Sequence, residues 1–426
     1  MPAPLRVTAV AASAQLGGTE RVLLDFAAHA FEHDIALRVL TPRDGPLIAI
    51  LNQLGVPAEV VPGPDAMLRG SQQPSRLASL VPALLALPRW ARDLSRHRFW
   101  ADAEVIYTVA FKAHTAALLH HDRTTVWHLH EFPPALTGGV WKALARRSPN
   151  ALIANSEAVA TAWCGETRDV RRETRTTRPA SLVPRLTVIP NGVDLDRFKP
   201  RAPTGWIHQR LGIPRGHRLI GMPAVFARWK GHELVLRAFD AVAAEFPDAH
   251  LVFVGGTIYD TVAEHDFGTR LSSLVPSSPR AHILPFQPDI ERAYPEFDLI
   301  THYSLRPEPF GRVILESMAC GVPVIAAAEG GPLEILGAPA GSREPGAEGI
   351  ETLPGDETPE GWLVVPREPR ALAATLRRAL GLDKPALTAK GRAGRARAEE
   401  RFSAREFARG VALALRSAHP ASSVSP

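Results

Sequence analysis

The chain has 426 residues, 45% of them hydrophobic and 22% charged, with 49 Lys+Arg against 44 Asp+Glu for a net charge of +5. That length exceeds a single hydrophobic core and predicts two domains of ordinary size. The mild positive balance suits acidic substrates or an anionic membrane surface, and lacks the concentrated basic patches of a nucleic-acid binder. The two cysteines, Cys164 and Cys320, are far apart with no metal spacing around them, which predicts a reduced, cytoplasmic setting. No stretch reaches the roughly 18–20 apolar residues of a membrane span, and the N-terminus lacks a signal-peptide pattern.

In chain order, Leu5–Ala11 reads as a first parallel strand, followed by the turn Gly17-Gly18-Thr19-Glu20 and a helical RVLLDFAAHAF. Strand, glycine turn and helix open a βαβ unit, although a bare Gly-Gly is not the GxGxxG dinucleotide fingerprint. Ile35–Leu40 and Val56–Val61 are the next strands. From Pro74 to Trp100 a helical stretch mixes leucines with Arg, His and Trp, and Pro82 and Pro88 are expected to interrupt it. An interfacial membrane helix competes there with a core-facing helix, and the prolines favour the core-facing one.

Ala103–Val109 and Thr125–Leu129 are strands, the second running into His128, His130 and Glu131. In open α/β sheets ligands bind at the carboxyl ends of strands, so His130 and Glu131 are candidate site residues. His128 and His130 have no visible third partner for a metal. Ala151–Ala154 is a short strand, with Asn155-Ser156-Glu157 as the cap of a following helix. Leu186–Pro190 closes the first domain, and the DxD of Asp194 and Asp196 reads as turn chemistry. Pro200 to Pro214 reads as the linker.

The pattern then restarts. Leu219–Met222 is a strand, Arg228-Trp229-Lys230-Gly231 a basic turn, His232 to Phe246 a helix and Leu251–Gly255 a buried strand. Short strands at Ile283–Phe286 and Leu299–Thr301 lead into RPEPFGRVILESMACGVPVIAAA, residues 306–328. Here Glu308 precedes a helix opened by Phe310 and Gly311, and Glu316 lies inside it. Free N–H groups and the positive dipole end of that helix suit a bound phosphate. Gly321 and Pro323 end the helix before a strand from Val322 to Ala328. Gly330-Gly331-Pro332 starts another helix, residues 337–359 read as a loop insertion, and 361–365 as the last strand. Helices around 369–382, 388–402 and 404–417 precede a tail expected to be disordered.

These residues carry a resemblance. GGTERVLLDFA (17–27), WHLHE (127–131), ANSEAV (154–159), VIPNGVDLDRF (188–198), WKGHELVLRAF (229–239), PEPFGRVILESMACGVPVIA (307–326) and GGPLEIL (330–336) resemble, in order, segments of the retaining glycosyltransferases of family 4. The resemblance implies the α/β GT-B architecture, two doubly wound Rossmann-like domains facing an interdomain cleft. It sets the domains at 1–198 and 215–402, with a linker at 199–214, a helix at 403–418 that packs back on the first domain, and a tail at 419–426. The implied reaction moves a sugar from a nucleotide-diphosphate donor to a glycan, lipid-linked or small-molecule acceptor, retaining the anomeric configuration.

Position by position, the resemblance puts Glu316 at the donor ribose and Glu308 beside the reacting carbon, with His130 near sugar and acceptor. Lys230 falls where the departing diphosphate is neutralised, and the backbone of Phe310, Gly311, Arg312 and Val313 falls at the sugar and diphosphate. Gly17 and Gly18 fall where the N-terminal turn approaches the diphosphate. No metal or other cofactor is expected, nor any nucleic-acid partner; peripheral contact with an anionic inner membrane surface stays open. The chain departs from the family at Ala224-Val225, where a Gly-Arg usually supplies a second cation, and Arg228 is the expected substitute. Glu316 could instead serve only as the i,i+4 partner of Arg312. A non-catalytic nucleotide-sugar-binding protein, a nucleotide-sugar epimerase, a phosphorylase and a dinucleotide oxidoreductase are the rival readings. Nucleotide, sugar and acceptor are left open.

Overall fold

The computed structural model describes residues 3–64, 77–120, 123–165, 185–257, 261–337 and 356–419. It divides into two units, Met1–Gly192 with Ala404–Pro426, and Val193–Ser403. Each is built on a seven-stranded sheet.

The first sheet holds β1 (Leu5–Val10), β2 (Ile35–Thr41), β3 (Ala58–Val60), β4 (Val105–Val109), β5 (Thr124–Leu129), β6 (Ala151–Ala154) and β7 (Arg185–Val188). All pair in parallel, in the order β3-β2-β1-β4-β5-β6-β7. Strands such as β4 (VIYTV), buried at every position, bear the β-branched and aromatic residues that a sheet covered on both faces requires. One face packs Val7, Ala9, Val105 and Tyr107 against helices Gly18–Ala27, Pro46–Gln53 and Ala404–Ala418. The other packs Val10, Leu40 and Ile106 against Trp90, Leu94 and Trp100.

Helix Leu77–Arg96 runs unbroken past both Pro82 and Pro88, contrary to the expected interruption. Burial of Trp90, Ala91 and Leu94 outweighs the backbone hydrogen bonds that the prolines forgo, and Pro88 itself is exposed. Among the described residues no helix is long and apolar enough to cross a membrane.

The second sheet comprises β8 (Arg218–Pro223), β9 (Ala249–Gly255), β10 (Ala281–Pro285), β11 (Leu299–His302), β12 (Val324–Ala327), β13 (Asp356–Thr358) and β14 (Gly361–Val364). Its order is β10-β9-β8-β11-β12-β14-β13, parallel except for the antiparallel pair β13–β14. Both sheets thus share the doubly wound order in which the first strand lies inside the sheet, with two later strands on one side and four on the other.

The boundary between units falls after Gly192, six residues before the expected end of the first domain. Val193 accounts for this: it bridges to Ser403, and its N–H donates to the Phe402 carbonyl at 2.8 Å. Asp194 Oδ1 accepts from the N–H groups of Asp196 (2.9 Å) and Arg197 (3.0 Å), turn chemistry that accounts for one acid of the DxD. The span read as a linker, 199–214, is part of the second unit. It contains helix Trp206–Leu211, and Ile207 and Ile213 are buried in that unit's core. Residues 338–355 of the expected insertion and 420–426 of the expected tail lie outside the described residues.

Candidate functional site

In the second sheet the strand order reverses between β8 and β11, and the carboxyl ends of strands at such a reversal are where open α/β sheets bind ligands. The segments leaving these two strands are fastened to each other. Leu305 N–H donates to the Trp229 carbonyl at 2.7 Å. Gly231 has φ +80°, and a Cβ there would sit 2.2 Å from the Tyr303 carbonyl oxygen, so only glycine allows this approach. Its consequence is a buried ion pair: Lys230 Nζ lies 2.8 Å from Glu308 Oε2, with side chains 12% and 13% exposed. The Lys230 ammonium also stands 4.0 Å from the centre of the Trp229 ring.

Glu308 Oε2 further accepts from Ser304 Oγ at 2.9 Å and lies 3.2 Å from His302 Nε2. Burial pushes this carboxyl up. The Lys230 charge and the His302 and Lys230 hydrogen bonds outweigh that push and hold it well below the usual carboxylate range. Burial lowers the His302 pKa, against the pull of Glu308, so a neutral imidazole serves the carboxylate. The backbone of Glu308 is fixed from behind by Gly330-Gly331: Gly331 N–H donates to the Glu308 carbonyl at 2.9 Å. A Cβ on Gly331 would come within 2.4 Å of the Phe310 backbone.

Phe310 is buried, and Gly311, at φ +112°, precedes helix Arg312–Ala319 with no side-chain cap. Glu316 is buried one turn on. Its Oε2 accepts from Tyr294 Oη at 2.9 Å, and its Oε1 lies 3.3 Å from Arg312 Nη2. The i,i+4 pair with Arg312 thus exists, together with a second partner from another element.

At Ala224-Val225 the chain has no cation. Arg228 is exposed in the 3₁₀ turn Arg228–Lys230, and its charge acts on Glu233 of helix His232–Ala243.

In the first unit the order reverses between β1 and β4. Gly17 has an ordinary φ of −80°, and a Cβ on Gly18 would meet nothing within 4 Å. The backbone of Gly17 is one that any residue adopts, and Gly18 leaves open space at the head of helix Gly18–Ala27. His130, just past β5, is buried, its ring centre 3.9 Å from that of His128. Tyr107 Oη bonds His128 Nδ1, and Trp163 Nε1 holds the Glu131 carbonyl at 2.7 Å.

Glu308 and Lys230 are thus brought together, Glu316 stands on the adjoining helix, and Arg228 is exposed on the same turn as Lys230. His130, Gly17 and Gly18 belong to the other unit. Sequence reasoning missed Ser304, His302 and Tyr294. His302 carried a usable signal, a polar residue closing an apolar strand; Tyr294 carried none. Among the described residues no three His, Cys, Asp or Glu are grouped to hold a metal ion.

Comparison with known proteins agrees with this layout. Residues 206–396 match the family model for glycosyl transferases group 1, and residues 16–197 that for glycosyltransferase family 4. The D-inositol 3-phosphate glycosyltransferases of Mycobacterium bovis and Mycobacterium tuberculosis are 34% identical over 149 residues, 34% of this chain. That match spans 30% of the length of those curated relatives. Crystal structures of Anabaena Alr3699/HepE, one with UDP and glucose and one with UDP-glucose, superpose with a TM-score of 0.71 at 25% identity. They cover 97% and 96% of this chain and 100% and 99% of theirs. Sucrose-phosphate synthase from Thermosynechococcus elongatus shares the fold, with a TM-score of 0.69 at 18% identity over 97% of this chain and 98% of its own.

Proposed function

The chain belongs to the family-4 glycosyltransferases of the GT-B fold, and from that premise we propose that it transfers a hexosyl group from a nucleoside-diphosphate sugar to an acceptor hydroxyl with retention of configuration. One observation carries the reading: the buried Lys230–Glu308 pair at the switch point of the second sheet, with the carboxylate of Glu316 on the adjoining helix. Lys230 and the positive dipole end of helix Arg312–Ala319 neutralise the departing diphosphate. Glu316 receives the ribose hydroxyls, since a carboxylate has about four acceptor sites and Tyr294 and Arg312 do not exhaust them. Glu308 faces the reacting carbon, where a carboxylate held ionised stabilises an oxocarbenium-like transition state. The cations of the chain do the work of a metal, so turnover persists in EDTA.

The Anabaena protein binds UDP and UDP-glucose, which makes a UDP-hexose the first donor to try. UDP, GDP, ADP and TDP are compared by thermal shift on the wild type and Glu316→Ala. Saturation at about 100 Kd contributes about 2.7 kcal/mol, so one nucleotide should raise the wild-type Tm by several degrees and leave the variant unmoved. A wild type indifferent to all four would overturn the proposal. Release of UDP from UDP-glucose, with the anomeric configuration of the product read by NMR, tests turnover and retention.

The absence of a cation at Ala224-Val225 favours a second reading, a nucleotide-sugar-binding protein without turnover, which the same UDP-release assay separates. If Arg228 supplies the missing charge, Arg228→Ala weakens UDP binding about five- to tenfold, while the exposed control Arg370→Ala changes it less than twofold. Equal affinity in both variants would remove Arg228 from the donor site.

A further inference from the structure

The three side chains that reach the Glu308 carboxylate all reach the same oxygen. Oε2 takes the Lys230 ammonium at 2.8 Å, the Ser304 hydroxyl at 2.9 Å and His302 Nε2 at 3.2 Å. Oε1 has no hydrogen-bond or ion-pair partner among the described residues. A carboxylate oxygen offers about two acceptor sites, so Oε2 is saturated while Oε1 keeps its whole capacity. The carboxylate is thus gripped by one side and left open on the other.

Each arm of this grip stands on backbone fixed elsewhere. His302 is the last residue of β11, paired in parallel with Ala326 of β12, and its side chain is buried. Ser304 is buried two residues further on. Lys230 stands on the turn that Gly231 presses against the Tyr303 carbonyl, between those two residues. Glu308 itself is bridged to Gly330.

The proton on His302 is placed by its partner. Burial lowers the pKa of this histidine, so its ring is neutral and carries a single N–H. An ionised carboxylate only accepts, so that N–H must be at Nε2, and Nδ1 is bare. The strand end therefore delivers one donor, of fixed tautomer, at one atom of the catalytic acid.

We propose that His302 is a positioning residue of the transferase, whose Nε2–H, together with Ser304 and Lys230, ties up Oε2 so that Oε1 is the oxygen Glu308 presents to the donor sugar. This rests on the transferase reading. No bond to His302 forms or breaks, and its proton stays on Nε2. Without this arm the carboxyl group can turn and offer either oxygen to Lys230 and Ser304, and Oε1 is no longer held at the reacting carbon. A displacement of that order costs a reacting group about ten- to a hundredfold in rate. Lys230 keeps its charge and its turn, so nucleotide binding is spared.

The test uses the full chain and UDP-glucose, with water as the acceptor and UDP release as the readout. A glutamine amide nitrogen reaches the place of Nε2, whereas an asparagine nitrogen reaches that of Nδ1. His302→Gln should therefore stay within about fivefold of the wild-type kcat, while His302→Asn and His302→Leu lose about ten- to a hundredfold. All three should keep the wild-type thermal shift with UDP, which also certifies their fold. In a long-range proton–nitrogen NMR spectrum, the signals that vanish in His302→Gln should be those of a neutral ring protonated at Nε2. His302→Leu with the wild-type kcat, Asn equal to Gln, or Gln no better than Leu overturns the proposal. So does a His302 signal protonated at Nδ1 or at both nitrogens. Each of these leaves the transferase reading standing, whereas a wild type that releases no UDP overturns that reading and this one together.

Discussion

Lys230→Ala is expected to lower kcat/KM by about 10²–10³, the loss typical of removing one preorganised charge aimed at a developing anion. The variant loses two things at once. The first is the ammonium that meets the leaving diphosphate. The second is the counter-ion of Glu308, whose carboxyl is buried and is kept ionised chiefly by the Lys230 charge 2.8 Å away. With that charge gone, burial is opposed only by His302 and Ser304, and the Glu308 pKa rises. In the wild type Glu308 is ionised throughout any ordinary assay range, so it contributes no acid limb to the pH–rate profile. In Lys230→Ala an acid limb should appear and move upward, and residual activity should improve as pH is raised. Glu308→Gln separates the two losses, because it keeps the lysine and removes the carboxylate; it should be inactive at every pH. Stability responds in a telling order. Breaking a buried pair by removing one partner costs about 3–5 kcal/mol where the remaining charge cannot escape, and Glu308 can escape by taking up a proton. Lys230→Ala should therefore be more stable relative to wild type at pH 5 than at pH 8. A Lys230→Ala enzyme with wild-type kcat/KM and a wild-type profile would remove the pair from the chemistry.

How much of this was legible in the sequence depends on the range of each interaction. The strands read at Leu251–Gly255 and Val322–Ala328, which fall in β9 and β12, announced themselves because a parallel strand buried on both faces is continuously apolar. The capping Ser156, whose Oγ accepts from Val159 N–H at 3.1 Å, was legible because capping is local. Helix Phe111–Ala117 (FKAHTAA) was not, since seven residues scarcely make two turns and show no apolar period. Neither was the unit boundary, which is fixed by Val193 pairing with Ser403, a contact spanning the whole second unit. In the site, Lys230 and Glu308 could each be singled out from spacing and resemblance. Their ion pair could not, because it joins residues 78 apart through the Gly231 turn against Tyr303. The Glu316–Arg312 pair was visible as an i,i+4 relation; Tyr294, which completes it, arrives from 22 residues away.

The same buried histidines that go unused in the chemistry should make the fold acid-labile. His232 is fully buried among Phe226, Phe253 and Phe267, and neither of its ring nitrogens has a hydrogen-bond partner. Burial, then the Lys230 charge, lowers its pKa from 6.5 to about 3. His114, buried against Trp127 with Nδ1 2.7 Å from Thr108 Oγ1, is likewise lowered to about 3. His250, linked at 3.0 Å to both His217 and His282, is lowered to about 4. In each case the unfolded chain binds the proton first as pH falls below 6.5, so stability drops from there until the folded-state pKa is reached. At pH 5 the deficit is about 2 kcal/mol for each of His114 and His232. Glu20 acts in the opposite direction. Its raised pKa means that the folded state holds a proton the unfolded chain would release, so lowering the pH from 7 towards 4.5 stabilises it. Glu131 and Asp298, also raised by burial, act with Glu20, and these three acids are outnumbered by the six histidines lowered by burial, His114, His128, His232, His250, His282 and His302. Urea unfolding at pH 7 and pH 5 should therefore show a fall of a few kcal/mol for the wild type. His232→Leu, which puts an apolar side chain among the three phenylalanines, should lose about 2 kcal/mol less over the same interval. Parallel losses in the two chains would mean that His232 is already protonated in the folded state at pH 5, and the acid lability would have to lie elsewhere.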